Sequence, residues 1–235
     1  YDEDMQGTWF ARKAQEYLHQ QGDQPFFLIT SFYEPHSPFR FPIEYRGMYD
    51  PASFDVPEPG PEDDWQIPEI FRNLTRSEKQ HIIASNYTSV AYMDKNVGLV
   101  LETLKETGLD KSTLVIYIGD HGYNLGHHGR FEKHCSYDQA VRAPLMIRLP
   151  GASESKVVTS LVEFIDIFPT IAEVCGAPVP GVVEGKSLLA LIEGTKSEIH
   201  DVVFSEYLDN AYEISLIFPQ CRRPVVFQKS FERKP

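Results

Sequence analysis

Cysteine is scarce. The 235 residues hold three, Cys135, Cys175 and Cys221, and no two stand at CxxC spacing. Neither a zinc cluster nor a thioredoxin-type dithiol is supported by that pattern, and three scattered thiols assign no redox compartment. Cys175 ends an apolar helical stretch and reads as a packed thiol. Positive charge is short as well: 22 Lys and Arg face 34 Asp and Glu, a net charge of −12. Such a balance speaks against a nucleic-acid partner, which needs a basic face. An acidic chain can still hold a sulfate or phosphate ester where the site itself is positive. Long apolar runs are missing too, and none approaches the ~18 residues of a membrane span. No methionine or signal peptide opens the chain. Tyr1 leads almost at once into a helical pattern, as in a piece of something longer, so the missing targeting segment says nothing of location.

What remains is ordinary globular material, 42% hydrophobic and 24% charged. Residues 4–21 read as an amphipathic helix, with Trp9, Phe10, Ala14, Tyr17 and Leu18 near helical spacing and Gly22 as the stop. The run PFFLITS (25–31) reads as a buried strand. A long Pro- and aromatic-rich loop follows over 32–72, acidic at Glu58–Asp64; loops of this length are usually functional or disordered. Thr75-Arg76-Ser77-Glu78 has the capping-box pattern and predicts a helix to about Thr107, ended by Gly108. Its apolar face comprises Ile83, Tyr87, Val90, Ala91, Val97, Leu101 and Leu104. TLVIYIG (113–119) and PLMIRL (144–149) read as buried strands. Asp166 is placed to cap a helix through Val174, with Pro169 tolerated in its first turn. A short helix at 187–194 and a strand at 202–206 complete the pattern. Strands alternating with helices imply an α/β fold, a mostly parallel sheet between helix layers. Ligands gather beyond the carboxyl ends of such strands.

Two loops lie at such ends. In YEPHSPFRFP (33–42), His36 stands between Pro35 and Pro38, which favour an extended backbone and limit where the imidazole points. A lone loop histidine is most often a solvated surface group. The second loop, Asp120 to Lys133, carries one acid, His121, His127, His128 and an ammonium among four glycines. Adjacent carboxylate and imidazole can approach one cation, oxygen favouring calcium or magnesium and imidazole the transition metals. Gly122 would let the chain turn away, and Lys133 offers a compact charge for an anion. The same residues also suit a plain polar hairpin, and the segment alone leaves both readings open.

The combination adds a resemblance. Asp120-His121-Gly122, then LGHHG, Lys133 and RAPLMIRLPG resemble the sulfatase family of the alkaline-phosphatase-like superfamily, nearest to its iduronate-2-sulfatase-like branch. PFFLITSFYEPHSPFRFP is similar to the family's strand and substrate-contacting loop. LVEFIDIFPTIAEVCGAPVPGVVEGKSLLALIEG resembles the segment after its active-site half. The likeness spans about residues 10–210. It implies Asp120 and His121 as calcium ligands, Lys133 on a sulfate oxygen, and His36 as the acid that protonates the departing alcohol. His128 matches the branch too, as a further substrate-binding residue or a structural one. Such a set would supply electrostatic stabilisation and a leaving-group acid. The resemblance also implies Ca2+, a location in periplasm, secretion or lysosome, and a small-molecule or carbohydrate sulfate ester as partner, without nucleic acid or membrane.

Two family features are lacking. A formylglycine nucleophile is made from Cys or Ser in C/S-x-P/A-x-R, and none of Cys135, Cys175 and Cys221 has Arg four residues on. The family's aspartate pair after its first strand is also missing; Asp63-Asp64 sits in an acidic loop with no strand before it and is rejected as a match. Residues 1–200 are thus expected to be the later part of a sulfatase catalytic domain, incomplete at its N-terminus and inactive alone. Residues 201–235 are the start of a divergent or truncated C-terminal subdomain, and their sequence does not read as the family's small antiparallel sheet. The alternatives are a phospho- or phosphonate-ester hydrolase of the same superfamily and a non-catalytic anion-binding homologue. The sulfatase reading expects His36, Asp120, His121 and Lys133 to share one site.

Overall fold

The computed structural model describes residues 1–22, 24–152, 154–209, 211–217 and 225–229, with side chains as far as residue 205. Its contacts divide the chain into two units, residues 1–113 with 125–131, and residues 114–124 with 132–235.

The first unit is built on two helices. Helix α1 (Gln6–Gln20) buries Ala11, Ala14 and Leu18, one stripe at helical spacing, and the chain leaves it through Gly22 at φ 54°. The one-turn α2 (Glu69–Arg72) precedes the long α3 (Arg76–Glu106). The expected capping box is present: Glu78 N donates to Thr75 Oγ1 at 3.2 Å, and Thr75 N to Glu78 Oε2 at 2.7 Å. Gly108 ends the helix at φ 73°. The buried face of α3 departs from the expected one. Tyr87, Val90 and Leu101 are exposed, whereas Asn86, Thr88, Ser89, Tyr92, Asn96 and Thr103 are buried. The reason is a polar seam. Tyr92 Oη accepts from Thr8 N at 2.9 Å, Gln15 Nε2 donates to Thr103 Oγ1 at 2.8 Å, and Ser89 Oγ to Arg40 O at 2.9 Å. Small side chains bring α1 and α3 close, and their polar atoms are satisfied against each other, so hydropathy does not mark the contact face. Tyr87 instead joins Tyr49 and Phe54, with ring centroids 5.9 and 4.9 Å away.

Residues 25–31 form neither helix nor ladder among the described residues. Phe26 and Leu28 are half-buried, while Phe27 and Ile29 are 71% and 74% exposed. The segment expected to be a buried strand is thus only half covered, with exposure alternating from residue to residue. The long segment after it is folded into short 3-10 turns, Ile43–Tyr45, Pro51–Ser53 and Pro61–Gln66.

The second unit begins with β1 (Val115–Ile118). Helical turn α4 (Asp138–Val141) and β2 (Leu145–Arg148) follow, then α5 (Ile167–Val174), α6 (Leu189–Glu193), β3 (Val203–Asp209), β4 (Ala211–Ile217) and β5 (Val225–Lys229). Strand and helix positions here match the sequence reading closely, and the strands that pair among the described residues run antiparallel. β1 runs against β2, with Val115 opposite Arg148, and β3-β4-β5 form an antiparallel meander. Parallel pairing requires a crossover, usually an α-helix, over the sheet face. Only short helical turns lie between β1 and β2. The meander corrects the reading of the C-terminal residues, whose backbone does form an antiparallel sheet. Cys175 is exposed rather than packed, because it stands just past the end of α5. Cys221 lies outside the described residues.

Buried Asp166 ties the unit together before and after α5. Its carboxylate accepts from Glu163 N and Lys186 N, both at 2.8 Å, and faces His200 Nε2 at 2.9 Å.

Candidate active site

The chain leaves β1 at Gly119, whose N–H donates to Pro144 O at 3.0 Å and prolongs the ladder by one residue. Asp120 and His121 follow at the open end. Gly122 then presses against the backbone of α4: its N–H donates to Ala140 O at 2.7 Å. A Cβ there would run into the carbonyl oxygens of Gln139 and Arg142. Its φ is not positive, so glycine serves close approach here and not the sharp turn expected of it.

That packing orients His121. Its Nδ1 lies 2.7 Å from Gly122 O, a contact that needs the proton on Nδ1. Nε2 keeps the lone pair, which takes a hydrogen bond from Lys133 Nζ at 2.8 Å and lies 3.6 Å from Asp120 Oδ1. A metal-binding histidine commonly has this tautomer, one ring nitrogen tied to a backbone carbonyl and the other left for the ion. The donor set of Asp120 and His121 therefore fits two ligands of a cation. Among the described residues no third His, Cys, Asp or Glu joins them.

Lys133 is brought back to His121 by a residue that pattern reading missed. Asn124 is fully buried. Its backbone N–H and its Nδ2 both donate to Glu132 O at 2.9 Å, and Nδ2 also reaches Cys135 Sγ at 3.0 Å. A lone Asn in a glycine-rich segment gives no sign of this; only the return of the chain at residue 132 reveals it.

His36 and His128 belong to the first unit. His36 is exposed, in a turn closed by its N–H on Tyr33 O at 3.0 Å, with cis peptide bonds at Glu34–Pro35 and Ser37–Pro38. The backbone there turns rather than running extended. Nδ1 lies 2.6 Å from Ser37 O and 3.1 Å from Tyr33 Oη, and the Tyr33 ring sits 4.8 Å from the imidazole. Tyr33 is a second positioning group absent from the sequence reading. Glu34, adjacent to the histidine turn, is buried near Gly7, Tyr92 and Asn96. His128 faces Asp63 Oδ1 through Nδ1 at 2.9 Å.

The Sulfatase family model matches residues 5–177, a span that contains His36, Asp120, His121, His128 and Lys133. The chain belongs to the sulfatase family. An arylsulfatase of Clostridium perfringens is 31% identical over 226 residues, 88% of this chain and 46% of the relative. Mouse (Mus musculus) iduronate 2-sulfatase is 30% identical over 209 residues, 66% of this chain and 37% of the relative. The solved phosphonate monoester hydrolase SpPMH from Silicibacter pomeroyi matches with a TM-score of 0.82 at 25% identity, over 97% of this chain and 54% of that one. The sulfatase fold is thus the α/β, alkaline-phosphatase-like one. This chain spans less than half the length of these two curated relatives.

Proposed function

We propose that this sulfatase chain supplies the anion-anchoring and leaving-group part of a sulfuric ester hydrolase acting on a sulfated carbohydrate. The observation that carries the reading is the contact of Lys133 with His121 beside Asp120, within a family-matched span. Lys133 Nζ holds a sulfuryl oxygen and offsets the charge that grows there as the ester bond breaks. Protonated His36, with Nδ1 engaged by Ser37 O, donates its Nε2 proton to the departing alcohol oxygen. His128 contacts the substrate. Asp120 and, once Lys133 turns from His121 Nε2 to the sulfuryl group, His121 would hold Ca2+, which would supply Lewis-acid polarisation there. No Cys or Ser here fits the formylglycine pattern. This chain therefore supplies no formylglycine nucleophile, which the remainder of the enzyme would provide. The chain alone is accordingly inactive.

A second reading, favoured by the match to SpPMH, keeps the site and exchanges the substrate for a phosphonate monoester. The test is an assay of the 235-residue chain with calcium against 4-nitrophenyl sulfate and 4-nitrophenyl phenylphosphonate. Neither ester is expected to turn over. Calcium-dependent sulfate release would overturn the placement of the nucleophile, and phosphonate hydrolysis alone would favour the second reading.

A further inference from the structure

Gly7 lies in the first turn of α1, and the side chain it lacks marks a point where polar atoms converge. A Cβ there would stand 3.0 Å from Glu34 Oε2, 3.0 Å from Tyr92 Oη and 3.2 Å from Asn96 Nδ2. All three side chains are buried, Glu34 being 7% exposed and the other two fully enclosed. Glu34 Oε2 meets no hydrogen-bond donor among the described residues. A buried carboxyl oxygen left so is costly, and folded proteins nearly always supply it with a partner. The neighbouring protons are already committed. The Thr8 hydroxyl gives its one proton to Asp2 Oδ1, its nearer acceptor, with Asn96 Oδ1 3.4 Å away. The 2.9 Å contact between Thr8 Oγ1 and Tyr92 Oη is therefore donated by Tyr92. Tyr92 Oη also accepts from Thr8 N, which leaves it one lone pair and no proton for Glu34. Asn96 Nδ2 donates one hydrogen to Tyr92 O at 3.2 Å and has a second to give.

We propose that this cradle holds one internal water molecule, and that Glu34 anchors through it the turn that presents His36. The cradle offers a carboxyl oxygen, a phenol lone pair and an amide N–H. A water donates to the first two and accepts from the third, about the three bonds usual for a buried water. A metal cation would meet the positive edge of the Asn96 amide instead. The anchor follows from the position of Glu34 in the chain. It stands between the two residues joined by the hydrogen bond from His36 N to Tyr33 O, so its side chain holds that turn from within. What His36 does there rests on the functional reading above; the water and the anchor do not.

Two measurements on the whole chain test the site. Cross-relaxation between water and the Gly7 α protons, which border the cradle, detects a long-lived neighbour. Oxygen-17 relaxation dispersion counts water oxygens alone and is blind to hydroxyl protons. The expected result is a Gly7–water cross-peak in the wild type and in Glu34→Gln, whose amide can still bond the water. Glu34→Leu should lose the cross-peak and one long-lived water, with the wild-type fold retained by circular dichroism. Exchange of the His36 amide should then be faster by about 3- to 10-fold, the loss of one hydrogen-bonded anchor. No cross-peak in the wild type would overturn the site even if no variant folds. A cross-peak without a change in the oxygen-17 count would assign the signal to a hydroxyl or carboxyl proton and overturn it as well. Unchanged His36 exchange after loss of the water would overturn the anchor. None of these readings depends on ester turnover, so failure of the catalytic reading would be seen separately.

Discussion

A methyl group on residue 122 would share space with the carbonyl oxygens of Gln139 and Arg142, both backbone atoms of the turn that follows Lys133. Neither can yield without moving α4 or the β1 end, where Asp120 and His121 stand. Gly122→Ala is therefore expected to cost about 1–3 kcal/mol, as overpacking does, and to break the Nδ1 contact of His121. Urea melts give the first effect and the histidine tautomer spectrum the second; an unchanged midpoint would contradict the close-approach account. At this scale the sequence was readable where chemistry is concentrated. Asp120, His121 and Lys133 stand out because a buried strand stops and titratable groups begin. Asn124 and Tyr33 do not stand out, and Asp63 does so only as half of a rejected acidic pair. Each acts on a neighbour through a hydrogen bond formed only when distant segments meet, and no local spacing records that.

Among the elements, the α1–α3 contact shows what a polar seam does to stability. Lys95 Nζ reaches both oxygens of Asp2, at 2.8 and 2.9 Å, and Thr8 Oγ1 donates to the same carboxylate. Burial pushes the Asp2 carboxyl up, but hydrogen bonds from Lys95 and Thr8, with the charges of Lys95 and Arg12, bring it below its ordinary value of 3.8. A group lowered on folding stabilises in full above its unfolded value and loses that contribution as pH falls through the lowered one. Wild type should thus exceed Asp2→Asn in stability at neutral pH. The gap should close as pH drops below 3.8, in denaturant melts recorded side by side. A gap that persists in acid would show that Asp2 acts by packing and not by charge. The ends of α3 were legible from its capping box and Gly108, because caps are local chemistry. Its buried face was not, since Ser, Thr and Asn paired across the seam look like surface residues in a hydropathy pattern.

For the whole molecule, the α/β class followed from alternating elements, and the family from four motif blocks in order. Strand direction did not follow. The pattern of β1 and β2 is the same whether they run parallel or antiparallel, and only the path of residues 119–144 decides it. The C-terminal meander was only partly hidden: Tyr212-Glu213-Ile214-Ser215-Leu216 alternate apolar and polar as a half-buried strand does, whereas β3 and β5 lack that alternation. The central claim is that Lys133, held against His121 by the Asn124 loop, anchors the sulfuryl group. The most direct test is titration of the chain with inorganic sulfate, followed by NMR at His121 and the Lys133 ammonium, against chloride at equal ionic strength. The account predicts saturable shifts at both residues with sulfate alone. It also predicts affinity lower by about 10- to 100-fold in Lys133→Ala, the loss expected for one charge-assisted hydrogen bond. Equal shifts with chloride, or undiminished sulfate binding in Lys133→Ala, would contradict it.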